Sequence, residues 1–229
     1  MPFELRLFHD ALEPRAGALA LAPVAARALY VVDGAVALRA PPDGRTIATV
    51  GTNSGVSAAA AGFIATGSQG ASLLRWELVE SGAEPAVAQS VAPPGVASTE
   101  LLRAKMPLDR LQDYLLRCDR VDFPPEGEAL THTHQGGGIR CLLSGGIRIE
   151  TLGHATHYGP LKAWFEAGPE PVYAATDAGG PSAFVRVMIL PKALLGGQSS
   201  IRYVRQEDLE RPKNQRYQIF IDEPLGGAP

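Results

Sequence analysis

A chain of 229 residues is about one and a half times a typical domain of roughly 150 residues, so it holds one large domain or two small ones, each able to bury a core. Apolar residues at 45% and charged residues at 20% exclude wholesale disorder. A formal charge of −3 gives no electrostatic reason to expect nucleic acid or an anionic membrane as a partner.

Met1-Pro2-Phe3-Glu4-Leu5-Arg6 lacks the basic start and apolar core of a secretory leader. The longest uncharged stretch, Thr46 to Leu74, is too rich in Gly, Ser, Thr, Asn and Gln to span a bilayer. Cys118 and Cys141 show neither zinc-like spacing nor a disulfide framework, and a cytoplasmic protein with reduced thiols is expected. The 25 glycines and 19 prolines make up about a fifth of the chain, against an average near 12%. That excess predicts frequent turns and an all-β class.

In chain order, strands are predicted at Ala28–Val32, Ala35–Leu38, Ser72–Leu78, Ile139–Leu143, Ile147–Ile149, Phe184–Leu190 and Tyr217–Ile221. Asp33-Gly34 and Ser144-Gly145-Gly146 fall between strand pairs and read as hairpin turns. Leu101 to Arg117 alone has helical spacing, through Leu108, Leu111, Tyr114 and Leu115, with Pro107 restricting its start. The segment Ile201 to Lys213 carries both signs of charge and reads as a solvated face. The strand after it is expected to extend a sheet of the first half or of a partner subunit.

The chain also repeats. Val31-Val32-Asp33-Gly34-Ala35-Val36-Ala37-Leu38 lies over Leu142 to Ile149 at an offset of 111. The same offset puts Leu73 to Leu78 over Phe184 to Ile189, with Arg75 on Arg186. Duplication follows, with one barrel over 1–90, a join near Ser81 to Ser98, and a second barrel over 99–229 carrying the final strand.

The one stretch with metal-ligand chemistry is Glu126-Gly127-Glu128-Ala129-Leu130-Thr131-His132-Thr133-His134-Gln135-Gly136-Gly137-Gly138. Residues i and i+2 of a strand share a face, so His132 and His134 can converge on one ion. The other reading is two solvent-facing histidines. At the offset of 111, Leu21 and Pro23 occupy their places in the first half, which is therefore expected to bind no metal. His9 reads as an ordinary surface or terminal histidine, and His154 and His157 as solvated loop residues, the other reading being a rim that touches ligand. Alternation carries Arg140 to the same face as Gly138 and Leu142, where a guanidinium needs an anion. The candidates are a substrate carboxylate and a structural partner, Glu128 or Glu166. Arg75 and Arg186 read as a structural pair.

Gly127, His132-Thr133-His134, the glycine turn and Leu142-Leu143-Ser144-Gly145 together resemble the first motif of the cupin superfamily. Trp164-Phe165-Glu166-Ala167-Gly168-Pro169-Glu170-Pro171-Val172-Tyr173 is a degraded counterpart of its second motif. The resemblance implies two antiparallel jelly-roll barrels in tandem, a bicupin whose N-terminal barrel is degenerate. It departs from the family at Gly138, where the metal-binding Glu belongs, and near Pro171 to Tyr173, where a His belongs. Glu166 is the expected replacement ligand, with Gln135 and Tyr173 within possible reach and Trp164 and Phe165 as pocket walls.

What the resemblance implies about function is one divalent transition metal (Fe, Mn, Ni or Zn) held by His132, His134 and Glu166. It would act on a small anionic, carboxylate-bearing ligand bound by Arg140, Tyr173, Trp164 and Gln135, with Arg140 and Glu166 as catalytic groups. The chain would then be a dioxygenase-like, isomerase or lyase-type enzyme, in a homodimer. The alternative is a non-catalytic binding or sensing cupin with a vestigial site.

Overall fold

The computed structural model describes residues 3–82, 93–109 and 111–226. Its only helical segments among those residues are two short 3-10 turns, Lys192–Leu194 and Gln206–Leu209, and no helix is long and apolar enough to cross a membrane. Strands make up most of the rest, and every strand pair is antiparallel, so the all-β class is observed. The chain divides into two compact units, Met1–Asp109 and Arg110–Ala228.

The first unit contains β1 (Phe3–Leu12), β2 (Leu19–Leu21), β3 (Ala26–Arg39), β4 (Thr46–Gly51), β5 (Ser54–Ser57), β6 (Gly62–Glu80) and β7 (Val96–Met106). They form one sheet of order β4-β3-β6-β1-β7, with β2 on β6 and β5 on β3. Its core gathers Leu19, Leu21, Leu29, Val31, Leu38, Ile64 and Leu73.

The second unit contains β8 (Tyr114–Phe123), β9 (Glu128–His134), β10 (Gly138–Ser144), β11 (Ile147–Thr151), β12 (His154–Tyr158), β13 (Ala163–Glu166), β14 (Val172–Thr176), β15 (Ser182–Pro191), β16 (Ile201–Tyr203) and β17 (Arg216–Pro224). These make two five-stranded sheets, β13-β10-β15-β8-β17 and β12-β11-β14-β9-β16. A single apolar core draws on both, from Val121, Phe123, Leu142, Trp164 and Phe184 in one and Ala129, Ile147, Ile149, Val172 and Ala174 in the other. This is the packing of two inner faces in a jelly roll.

The sequence repeat reappears in the registers of three strands of each unit, β1, β3 and β6 in the first and β8, β10 and β15 in the second. In the first unit Leu29 pairs with Arg75 and Phe8 pairs with Arg75. In the second Arg140 pairs with Arg186 and Asp119 pairs with Arg186. Every one of these positions is displaced by 111, the offset found in the sequence. Each of the two arginines carries a buried ion pair, with the aspartate at a different place: Asp10 stands at the offset of Val121 and Asp119 at the offset of Phe8. Arg75 donates from Nε and Nη2 to Asp10 at 2.7 and 3.0 Å, and Arg186 does the same to Asp119 at 2.6 and 3.0 Å. Each guanidinium also lies over an aromatic ring, Phe8 at 4.2 Å and Tyr217 at 5.6 Å. The structural reading of this arginine pair therefore holds.

Several local expectations are corrected. Asp33-Gly34 is no hairpin, because β3 runs straight through it. Gly34 sits at φ +80, where a Cβ would collide with the Gly70 carbonyl, and the register of β3 on β6 shifts on either side. The turn signal marks a bulge that bends the long strand. Ser144-Gly145-Gly146 does turn the chain, but β10 and β11 belong to different sheets and do not pair.

Leu101 to Arg117 is the end of β7 and the start of β8 rather than a helix, and Leu111 of the supposed apolar stripe is 94% exposed. The tertiary pairing of β7 with β1 overrides that weak periodicity. The same pairing places 99–106 in the first unit, so the units part at Asp109/Arg110 rather than between 90 and 99. Most of the expected join, 83–92, lies outside the described residues. The final strand, β17, pairs with β8 of its own unit rather than with the first unit.

Candidate functional site

Alternation along β9 points His132 and His134 inward, where each is buried, and leaves Thr131 and Thr133 half-buried between them. The solvent-facing reading of these histidines is thereby excluded. The His132 Nδ1–H donates to the Leu130 carbonyl at 2.7 Å, since a carbonyl can only accept. That fixes the tautomer and leaves the His132 Nε2 lone pair free. Nε2 of His134 lies 3.2 Å from it, the two rings crossing at 88°. Nδ1 of His134 faces the Ser200 hydroxyl at 3.4 Å.

Glu166 reaches the same place from β13. Gly138 and Glu166 are directly opposed in the β10–β13 register. No side chain fits at 138, because a Cβ there would collide with the Val187 carbonyl. Glu166 Oε2 lies 3.1 Å from His134 Nε2 and 2.7 Å from Arg140 Nη2, and its Oε1 accepts from the Trp164 indole at 2.7 Å. Arg140 and Trp164 are themselves a registered cross-strand pair. One inward patch on two strands therefore carries a carboxylate and the two groups that hold it.

Burial sets the charge states. It pushes His134 down to about 3, with the Arg140 charge adding to it against the opposing pull of Glu166. It lowers His132 as well, so both imidazoles are neutral near pH 7. Burial alone would raise Glu166, but the Arg140 charge and the bonds from His134 and Trp164 outweigh it and hold the carboxyl well below the usual range. Arg140 is drawn down to about 10 by burial, opposed by Glu166, and stays charged. The space these groups enclose is about 20 Å³, enough for one water or one ion.

The remaining site expectations divide. Trp164 walls the cavity as expected and also orients Glu166. Arg140 meets Glu166 rather than standing free, and Glu128 instead takes Tyr173 and Arg211. Tyr173 does not face the site. Val172 and Ala174 line the cavity, so alternation turns Tyr173 outward, where its hydroxyl donates to Glu128 at 2.9 Å. Gln135 stays outside too, its amide donating to the Ser199 carbonyl at 3.2 Å and its oxygen taken by Arg202. Phe165, one residue from Trp164 on the same strand, is also absent from the cavity lining.

His154 and His157 are exposed, and His157 pairs with Asp177. His9 is half-buried against Ser72 rather than on the surface. Cys118 and Cys141 are buried thiols raised by burial, Cys141 to about 12. Sequence reasoning missed Ser200, just before the stretch read as solvated, Ile201, which opens that stretch, and Tyr217, on the strand expected to extend another sheet. The Tyr217/Ile219 alternation on β17 was the available signal.

Among the described residues there is no ready-made cage of three or more His, Cys, Asp or Glu donors. What exists is a row, His132–His134–Glu166, in which His134 touches both neighbours. The donor chemistry of that row suits a divalent ion. Two neutral imidazoles and one ionised carboxylate form a common set for such ions, and a backbone carbonyl already holds the far nitrogen of one ring.

Neither a family model nor a curated protein matches this sequence. Solved structures do. A serine-to-alanine variant of Bacillus subtilis oxalate decarboxylase superposes with a TM-score of 0.64 at 14% identity, over 91% of this chain and 73% of the other. A structure of the same enzyme, from work on its Mn(II) centres, gives 0.64 at 13% identity, over 90% and 73%. Another, describing the substrate binding mode and reaction-specificity switch of oxalate decarboxylase, gives 0.60 at 13%, over 90% and 73%. At such identities the likeness establishes the fold, which is of cupin type.

Proposed function

We propose that the second unit is a metal-binding cupin centre in which His132, His134 and Glu166 hold one divalent transition ion, and that the protein is an enzyme acting on a small carboxylate-bearing molecule. The two units are read as a tandem of cupin barrels of which only the second binds. The observation that carries this is the row itself. Three donors of the right charge lie in successive contact at 3.2 and 3.1 Å, each oriented by a further group, Leu130, Ser200, Trp164 or Arg140. The resemblance in fold to oxalate decarboxylase, whose Mn(II) centres and substrate binding have been described, supports the same reading.

When bound, the ion supplies Lewis acidity at a buried point. The protein does the rest. Arg140 and Trp164 hold Glu166 ionised and aimed. The Ser200 hydroxyl accepts as readily as it donates, so His134 can keep its proton on Nδ1 and present Nε2. Buried Arg140 and Arg186 are matched by Glu166 and Asp119, so a divalent cation would leave the site with excess positive charge and favour an anionic substrate.

A second reading rests on the same row. Nε2–H of His134 lies between two acceptors, His132 Nε2 and Glu166 Oε2, so one proton already satisfies it. A metal-free binding module would look like this. Elemental analysis of the full chain purified without chelator separates the two. The enzyme reading requires about one transition ion per chain, with His132→Ala and His134→Ala each bringing it near zero. A chain that carries no metal and takes up none on titration would defeat it.

A further inference from the structure

A larger cavity of about 260 Å³ adjoins the site within the second unit, walled by Tyr203, Tyr217, Ile219 and the Gly197–Ile201 loop. It shares Arg186, Ile201 and Tyr217 with the small cavity that holds His132 and His134. The two spaces are therefore neighbours across one layer of side chains. Ser200 links them further, lining the large cavity while its hydroxyl faces His134.

The lining has the makeup of a ligand site, an apolar body with a few convergent polar groups. Two tyrosine rings and two isoleucines supply the apolar surface. Arg186 spends Nε and Nη2 on Asp119, and its Nη1 has no hydrogen-bond partner among the described residues. The hydroxyls of Tyr203 and Tyr217 likewise have none. All three are donors. Arg117, the other arginine of the wall, is fully occupied by Asp222 and the carbonyls of Gln198 and Leu194. A ligand here must bring acceptors at one end and apolar surface at the other.

Size narrows the class. At about 30 Å³ of liquid volume per water, the cavity takes roughly nine water-sized groups. A two-carbon dicarboxylate would leave most of the apolar wall uncovered.

We propose that this cavity is the substrate pocket of the His132–His134–Glu166 centre, and that it takes a monocarboxylate with an aromatic or branched apolar body, its carboxylate meeting Arg186 Nη1 and the tyrosine hydroxyls. As a substrate assignment it rests on the metal-centre reading above, whereas the pocket's selectivity does not. The test is calorimetric titration of the full chain, metal-loaded and metal-free, with phenylacetate and with oxalate. Phenylacetate is expected to bind at least tenfold more tightly than oxalate. Ile219→Trp, which fills the pocket from a partly exposed strand position outside the small cavity, should weaken phenylacetate at least tenfold without altering metal content. Tyr203→Phe, which deletes one donor and keeps the ring, should weaken it several-fold.

Oxalate binding as tightly as phenylacetate, or phenylacetate binding unchanged in Ile219→Trp, would overturn the assignment. If the chain takes up no metal, the centre fails and the assignment of a substrate fails with it. Phenylacetate binding to the metal-free chain, lost in Ile219→Trp, would still uphold the pocket and its ligand class.

Discussion

Leu29 in the first unit and Arg140 in the second stand at matching register positions, each opposite the arginine of a buried ion pair. In the first unit that place belongs to an apolar cluster, together with Leu21, which stands at the offset of His132. In the second the same places carry a guanidinium and an imidazole turned toward a carboxylate. The Arg–Asp pair common to both units belongs to the frame. The donors belong to the second unit alone. His132 and Glu166 stand on strands whose registers differ from those of the first unit: Leu21 faces Gly62 but His132 faces Val172, and Leu29 faces Val56 but Arg140 faces Trp164. Places related by one offset thus serve apolar packing in one unit and buried polar contacts in the other.

The largest expected effect comes from forcing the first unit to resemble the second. Leu29→Arg places a guanidinium in an apolar cluster and should lower stability by about 3–5 kcal/mol, read from denaturant midpoints. The converse change, Arg140→Leu with Glu166→Gln, removes both charges together and should alter stability far less. A comparable loss from both would show that the two places are not equivalent. Arg75→Ala and Arg186→Ala each strand a buried aspartate and should cost a similar 3–5 kcal/mol. A cheap Arg186→Ala would remove it from the shared frame.

Acid should separate the units. His134 is held at about 3 by burial, against about 6.5 in an unfolded chain. The folded state then binds fewer protons, so this stability is complete above about pH 6.5 and is lost as pH falls toward 3, by up to about 1.4 kcal/mol per pH unit. The first unit has no buried histidine among its described residues. Its lowered carboxylate is Glu77, where burial is outweighed by Arg75 and Arg27, and its loss begins only at the ordinary carboxylate range. Trp76 lies in the first unit and Trp164 in the second, so the fluorescence of Trp76→Phe follows the second unit alone. Metal-free, that variant should weaken between pH 6 and about 4, and adding His134→Gln should flatten the dependence.

Smaller effects sharpen the site. Glu166→Gln keeps the shape and removes the charge, and metal affinity should fall more than about tenfold, since loss of an outer-shell partner alone costs 10–100-fold. Tyr173→Phe breaks only an outward hydrogen bond to Glu128. It should cost about 1 kcal/mol or less and leave metal affinity unchanged by the same titration.

The repeat and the inward histidine pair are legible because both rest on local periodicity, which the registers of β8, β10 and β15 keep at the offset of 111 from β1, β3 and β6. The failures have physical causes. Asp33-Gly34 carries the same signal whether the chain reverses or bulges, and only the partner strand decides. The motif alone points to Glu166 as a replacement ligand, yet its position follows from standing opposite Gly138, a cross-strand relation that no single segment reveals. Gln135 and Tyr173 were one residue out of phase with the inward set, and alternation along β9 and β14 excludes them. Arg186 was recognised as structural through Arg75, but its free Nη1 and its place between two cavities depend on β16 and β17, whose charged neighbourhood concealed them.

The central claim is that one ion sits on His132, His134 and Glu166 and nowhere in the first unit. X-ray absorption at the metal edge of the manganese-loaded full chain tests it most directly. The account predicts scattering from two imidazoles, falling to one or vanishing in His132→Ala, and unchanged when Leu21 of the first unit is replaced by Ala. A metal shell without imidazole, or one that survives unaltered in both His132→Ala and His134→Ala, would contradict it.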